Sequence, residues 1–220
     1  MPRPDVGALL AGTAVVPVLV VESIETGLAL ARALVAGGLS VLEITLRTPA
    51  ALEVIRAVAR EIEGVVVGAG TALDPGQYRA AERAGARFVV SPGVTDSLLA
   101  HAEASETPFL PGAATSSEVM TLLERGYRCM KFFPAEPAGG IAYLKALAAP
   151  LPEVRFCPTG GIDAASAPRY LALSNVLCVG GSWVAPGDMV AAGDWPRITA
   201  LARDAGALGK GANRETPCPV

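Results

Sequence analysis

Residues 40–47 read Ser40-Val41-Leu42-Glu43-Ile44-Thr45-Leu46-Arg47, and Thr48-Pro49 follow at once. Leu42, Ile44 and Leu46 form an apolar set with a period of two, while Val41, Glu43, Thr45 and Arg47 form the alternate set. That period belongs to a β-strand with one face against apolar neighbours. Thr48 before Pro49 reads as a helix N-cap with proline in the first turn, and Gly64 reads as the stop of that helix. A second strand-like run, VVVGAGT from Val65, then leads to Asp74-Pro75, which repeats the device with Gly85 as its stop.

The same unit recurs in both directions along the chain. Further β-branched runs are VVPVLVV from Val15, RFVVSPG from Arg87, PFLPG from Pro108, CMKFFPA from Cys129, VRFCPTGG from Val154 and NVLCVGGS from Asn175. Their starts are spaced by roughly 20–26 residues, the length of one βα unit with short loops. Eight alternating units predict an α/β fold, a (β/α)8 (TIM) barrel near the small end of that fold's range. A doubly wound open sheet is the runner-up, but it usually needs fewer strands. No linker or composition break divides residues 1–220, which predicts one domain with its core over about 15–205. Pro4 to Gly12 predicts a short helix closing the bottom of the barrel. Gly206 to Val220, rich in glycine, proline and polar residues, predicts a mobile tail.

Composition narrows the function. With 51% hydrophobic and 18% charged residues the chain can bury a substantial core, which excludes a disordered protein. Ala14 to Val21 is too short for a bilayer and contains Pro17, and Met1 to Asp5 lacks a signal-peptide layout, so a soluble cytoplasmic protein is expected. A net charge of −3 and 5% aromatic residues supply neither a basic stripe nor a stacking platform, so nucleic acid is not an expected partner. Cys129, Cys157, Cys178 and Cys218 lack metal-ligand spacing, and three of them sit in apolar runs where a free cysteine behaves as a small hydrophobe. His101 is the only histidine, too little for a His-rich metal site and a poor basis for a Ser-His-Asp triad.

In a barrel one face of each strand meets the helices and the other points into the interior. Leu42, Ile44 and Leu46 should face the helices, which turns Glu43 and Arg47 inward, Arg47 nearer the C-terminal rim. The run from Cys129 places Lys131 and Phe133 with Cys129 on one face, and Met130 with Phe132 on the other. Lys131 therefore sits within an apolar strand, whereas Lys145 lies on a polar helix and Lys210 in the tail. A buried charge is costly unless it is paired or neutralised. A neutral amine attacks a ketone to form an iminium, an electron sink for breaking the adjacent carbon–carbon bond. Glu43 is the candidate acid/base for the proton transfers, and Arg47 offers a forked donor to the carboxylate of an α-keto acid. Thr71 and Thr159 end the third and seventh runs, at the rim where barrel sites are built. Each residue alone also has a plain structural account: an ion pair, a paired buried charge, a strand end. Their convergence on one interior favours chemistry. Thr159-Gly160-Gly161 and Gly180-Gly181-Ser182, after the last two strands, let backbone N–H groups converge on an anion where barrels commonly hold phosphate.

The segments VVPVLVV, LEITLRTPAALEVIR, VGAGTALDPGQ, SPGVTD, KFFPAE, RFCPTGGI and VLCVGGSWV, spread from about Val15 to Arg203, closely resemble the 2-keto-3-deoxy-6-phosphogluconate (KDPG) aldolases, also known as 4-hydroxy-2-oxoglutarate aldolases. The resemblance implies a class I lyase of the Entner–Doudoroff pathway without metal or cofactor, usually a homotrimer, acting on a small keto-acid phosphate. Its reaction would be reversible cleavage of KDPG to pyruvate and glyceraldehyde 3-phosphate, with 4-hydroxy-2-oxoglutarate, cleaved to pyruvate and glyoxylate, as a second substrate; the sequence leaves open which of KDPG, its galacto epimer and 4-hydroxy-2-oxoglutarate is preferred. By the same resemblance Lys131 is the Schiff-base lysine, Glu43 the general acid/base, and Arg47 and Thr71 the pyruvate-binding positions. Phe133 is the apolar wall beside the imine, Thr159 senses the stereochemistry of the aldehyde's hydroxyl, Gly160, Gly161 and Ser182 bind phosphate, and Pro92 lies on the site wall. Ala114 and Pro137 are minor departures, in loops. Two rival readings are a phosphate-binding barrel isomerase or epimerase, with Lys131 only an electrostatic group, and a sugar-phosphate sensor without turnover.

Overall fold

The computed structural model describes residues 5–209. Its strands are β1 (Val15–Leu19), β2 (Val41–Thr45), β3 (Val66–Gly70), β4 (Val89–Val90), β5 (Phe109–Leu110), β6 (Gly112–Ala113), β7 (Cys129–Phe132), β8 (Arg155–Pro158) and β9 (Val179–Gly181). Helices α1 (Val6–Leu10), α2 (Ile24–Ala36), α3 (Ala51–Glu61), α4 (Pro75–Ala84), α5 (Asp96–Ala104), α6 (Ser116–Glu124), α7 (Gly140–Ala148), α8 (Ala167–Leu171), α9 (Gly187–Ala192) and α10 (Trp195–Ala207) are threaded between and after them.

Every ladder is parallel. One curled sheet has the order β5-β4-β3-β2-β1-β9, and a second has the order β6-β7-β8. The isolated parallel pairs Phe156↔Val176 and Thr159↔Gly180 link β8 with the segment that becomes β9. The run expected as a single fifth strand is divided at Pro111. Its first half pairs with β4 and its second with β7. Proline has no N–H for the ladder, and its carbonyl is already turned to the other side, accepting from the Lys131 N–H at 2.8 Å.

Helix ends follow local chemistry, with two departures from expectation. The Asp74 carboxylate caps α4 by accepting from the Gln77 N–H, Pro75 opens the helix, and Gly85 ends it at φ 92°. Helix α3 lacks the expected Thr48 cap. Its N-cap is Ala50, with no side-chain bond, because the Thr48 hydroxyl donates instead to the Val21 carbonyl at 2.6 Å and ties the end of β2 to the end of β1. Nor does a tail begin at Gly206: Gly206 and Ala207 finish α10, whose Ala202 and Ala205 are buried against the body of the protein. The remainder of the expected tail, with Lys210 and Cys218, lies outside the described residues.

The apolar side chains form two layers. Leu42, Ile44, Val67, Ala69, Met130, Phe132 and Phe156 point outward and meet the helices in the larger cluster. Val16, Val41, Phe88, Val90, Leu110, Cys157, Leu177 and Cys178 point inward and form the smaller one, which Val6 and Leu10 of α1 close from the N-terminal ends of the strands. The short N-terminal helix is thus a plug. Cys157 and Cys178 are buried, as small hydrophobes would be, whereas Cys129 of the same cluster is disulfide-bonded. No helix of the described residues is long and apolar enough to cross a membrane.

Leu10 is 1% exposed, and no neighbour replaces it. Leu10→Ala should therefore destabilise the fold by about 2–4 kcal/mol, read as a lower urea midpoint at an unchanged slope. An unshifted midpoint would show that α1 is not part of the core.

Candidate active site

The phase of β2 is set by its outward residues, Leu42 and Ile44, so Glu43 points inward; Met130 and Phe132 do the same for Lys131 on β7. These strands belong to different sheets, and the two side chains meet across the interior. Lys131 Nζ donates to Glu43 Oε1 at 3.0 Å, and the side chains are 5% and 4% exposed. The surrounding ladder leaves room for them. Glu43 is in register with Gly68 of β3, and Lys131 with Gly112 of β6. A Cβ at Gly70 would lie 2.1 Å from Glu43 Oε1, so only glycine leaves that carboxylate in place. The amine and carboxylate are within direct proton-transfer distance, and each offsets the other's burial. Lys131 Nζ also lies 5.4 Å from the centre of the Phe133 ring.

Above this pair, towards the C-terminal ends of the strands, a cavity of about 230 Å³ opens. Arg47, Phe133, Thr159, Gly160, Gly161 and Ser182 line it, six of the ten residues singled out from the sequence. Arg47 Nε donates to Thr71 Oγ1 at 3.3 Å, and Thr71 has φ 63°. A β-branched residue in the left-handed region is strained by roughly 1–3 kcal/mol, and such strain gathers at ligand sites. The flanking bonds hold it: Leu46 N–H donates to the Gly70 carbonyl at 2.8 Å and Ala72 N–H to that of Val90 at 3.0 Å. The guanidinium of Arg47 has no carboxylate partner among the described residues, which leaves it free to receive an anion.

Gly160 and Gly161 have φ 105° and 82° in succession, which only glycine adopts readily. The Thr159 and Gly160 carbonyls accept from the Ala135 and Glu136 N–H groups at 2.8 and 3.0 Å. In a trans peptide the N–H points opposite to the carbonyl. The N–H groups of Gly160 and Gly161 therefore face away from that backbone, and that of Gly160 is turned to the side on which Thr159 pairs in parallel with Gly180. A glycine turn that presents a backbone N–H on a cavity wall is an anion-binding arrangement. A Cβ at Gly180 would come within 2.2 Å of Thr159 Oγ1, so that glycine makes room for the threonine.

Pro92 does not line this cavity. Its backbone instead lies against Gly112, where a Cβ would be 2.3 Å from the Pro92 carbonyl carbon, and the neighbouring Ser91 hydroxyl accepts from the Gly112 N–H at 3.4 Å. Val18 and Val20 do line it and were not foreseen. The alternation of Val16, Val18 and Val20 could have found them, but β1 is valine-rich on both faces and hides its period.

A family model described as KDPG and KHG aldolase matches residues 6–201. The KHG/KDPG aldolase of Escherichia coli (strain K12) is 52% identical over 191 residues, 87% of this chain and 90% of that protein. A crystal structure of KDPG aldolase from Legionella pneumophila, with pyruvate captured as a covalent carbinolamine, superposes with a TM-score of 0.88 at 47% identity, covering 90% of this chain and 96% of the other. The 2-keto-3-deoxy-6-phosphogluconate aldolase of Zymomonas mobilis ZM4, solved with 3-phosphoglycerate, gives a TM-score of 0.89 at 48% identity, covering 94% and 97%.

The buried pair makes a stability prediction independent of activity. Lys131→Met leaves Glu43 without its partner and should cost about 3–5 kcal/mol, most of it recovered on adding Glu43→Gln. Denaturant titration of the two single variants and the double variant measures the coupling. Additive effects would show that the two groups do not support each other.

Proposed function

The chain belongs to the KDPG and KHG aldolase family, and from that premise we propose that it cleaves 2-keto-3-deoxy-6-phosphogluconate to pyruvate and glyceraldehyde 3-phosphate through an imine on Lys131. The observation that carries this reading is the buried amine of Lys131, 3.0 Å from a single carboxylate, below a cavity lined by Arg47 and the glycine turn. It is a class I aldolase, a lyase of the Entner–Doudoroff pathway, and 4-hydroxy-2-oxoglutarate, cleaved to pyruvate and glyoxylate, is its unphosphorylated alternative. Eight βα units closed into a (β/α)8 barrel, a single domain over residues 1–220, a homotrimer and a cytoplasmic location complete the proposal.

The reaction follows from the geometry. Lys131 passes a proton to Glu43, and the neutral amine adds to C2 of the keto acid while a proton moves from the nitrogen to the oxygen to give a carbinolamine. Glu43, directly or through a water, supplies the proton with which that hydroxyl leaves as water, and the iminium forms. Glu43 then accepts the proton of the C4 hydroxyl as the C3–C4 bond breaks. Its electron pair enters the iminium to give an enamine, and C4 departs as the aldehyde. The same proton returns to C3, and water hydrolyses the resulting iminium to pyruvate and the free amine. No net proton is gained or lost.

The other residues position the substrate. Arg47 and Thr71 hold the carboxylate, so that the breaking bond stands parallel to the iminium π orbitals. The ring of Phe133 walls the imine. Thr159 faces the C4 hydroxyl, and Gly160, Gly161 and Ser182 receive the phosphate at the far end of the cavity. The covalent carbinolamine of pyruvate in the Legionella relative supports chemistry on an amine, and the 3-phosphoglycerate with which the Zymomonas relative was solved supports a phosphorylated ligand.

Incubation with pyruvate and borohydride should leave one reduced pyruvate per chain, mapped to Lys131, and none in Lys131→Ala, which should also lack turnover. Glu43→Gln should lower kcat by about 10²–10⁴-fold while pyruvate binding changes little. Absence of an adduct in folded wild-type protein would reject the imine and favour an isomerase in which Lys131 is only a charge.

A further inference from the structure

The loop after β7 carries a carboxylate that the proposed reaction does not use. Glu136, in the segment KFFPAE, accepts a hydrogen bond from the phenol of Tyr170 on α8 at 2.5 Å. The Tyr170 side chain is fully buried. Burial, and then the Glu136 carboxylate, hold the phenol above its ordinary range, so it keeps the proton it donates. The carboxylate itself stands on an exposed loop, yet its stem is pressed on the anion turn. A Cβ at Gly161 would lie 2.8 Å from both Cβ and Cγ of Glu136. Gly140 completes the packing: a Cβ there would come within 2.9 Å of the Tyr170 hydroxyl.

The same residue binds the turn through its backbone, since the Glu136 N–H donates to the Gly160 carbonyl at 3.0 Å. The direction of that carbonyl fixes the direction of the Gly161 N–H across one planar peptide. Phenol, carboxylate, Glu136 backbone and Gly160–Gly161 peptide are therefore one mechanical chain from α8 to the cavity wall.

We propose that Glu136 and Tyr170 are positioning residues for the phosphate end of the substrate, their hydrogen bond fixing the aim of the Gly161 N–H group. This rests on the assignment of the glycine turn to phosphate. Neither residue touches pyruvate or Lys131, so the effect is confined to phosphorylated substrates.

Steady-state kinetics on KDPG and on 4-hydroxy-2-oxoglutarate test this. Tyr170→Phe and Glu136→Ala should each raise KM for KDPG about tenfold. Their kcat on KDPG and their kcat/KM on 4-hydroxy-2-oxoglutarate should stay within about twofold of wild type. Glu136→Gln, whose amide oxygen still accepts the phenol proton, should keep the wild-type KM. Glu136 is exposed, so its variants test the inference even if Tyr170→Phe folds poorly. A proportional loss on both substrates would reduce the pair to a structural contact and overturn the inference, as would an unchanged KM for KDPG. Wild-type enzyme with no preference for KDPG would overturn the phosphate assignment itself, and the inference with it. A clear wild-type preference that the variants leave intact would overturn the inference alone.

Discussion

Two opposite charges, each almost wholly removed from water, meet at 3.0 Å between strands of different sheets. Either alone would be among the most destabilising groups in the molecule, and together they are tolerable only while the geometry holds. The rest of the interior is arranged around that condition. Below the pair, Phe88, Leu110, Leu177 and the plug residues Val6 and Leu10 fill the space that water would otherwise take. Glycines at 68, 70 and 112 stand beside the pair, and the Phe88 ring packs directly on Gly68. A methyl group at Gly70 would meet the carboxylate, and one at Gly112 would meet backbone. The apolar filling thus occupies the lower half, and the amine reaches its partner where that filling gives way to close-packed glycines.

That boundary also separates two ways of holding a substrate. Covalent chemistry is assigned to strand residues, whose positions are fixed by ladders on both sides. Anion binding is left to the loop ends, where backbone N–H groups are available and glycine permits the required conformation. Arg47 belongs to both regions. It continues the strand that carries Glu43, so the distance between acid/base and carboxylate clamp is set by β2 itself. Its partner Thr71 occupies a conformation costing roughly 1–3 kcal/mol. Hydrogen bonds at Leu46 and Ala72 fasten the peptides on either side, and bonds of this kind are worth about 1 kcal/mol each. The strain is therefore contained locally, and a hydroxyl is held where a relaxed residue would not present one.

Much of this was legible in the chain. Strict alternation in residues 41–47 assigns Glu43 and Arg47 to the interior face, and the isolation of Lys131 among apolar neighbours identifies the amine. Both depend on a two-residue period, the most robust signal a strand gives. Legibility failed where one residue had two possible partners. Thr48 has the chemistry of a cap, but a carbonyl from another strand, Val21, takes its hydroxyl. Pro111 sits in an apolar run that reads as continuous, yet the missing N–H divides it between two sheets. The positive φ of Thr71 has no local signature, since threonine ordinarily avoids it. Gly206 reads as the start of a loose tail, while the contacts that keep it helical lie elsewhere in the fold.

Glu136 and Tyr170 show the same limit from the functional side. They are separated by 34 residues, and each has an unremarkable local reading, a loop carboxylate and a helix tyrosine. Only the packing of α8 against the β7 loop makes them a pair. Direct contacts to a substrate must lie at strand ends in this architecture, so a sequence pass can look for them there. Groups that aim those contacts are under no such rule. They need only lie one peptide away from the donors they orient, and any helix that covers the loop can supply them. Positioning residues are consequently the part of such a site that requires a structure to find.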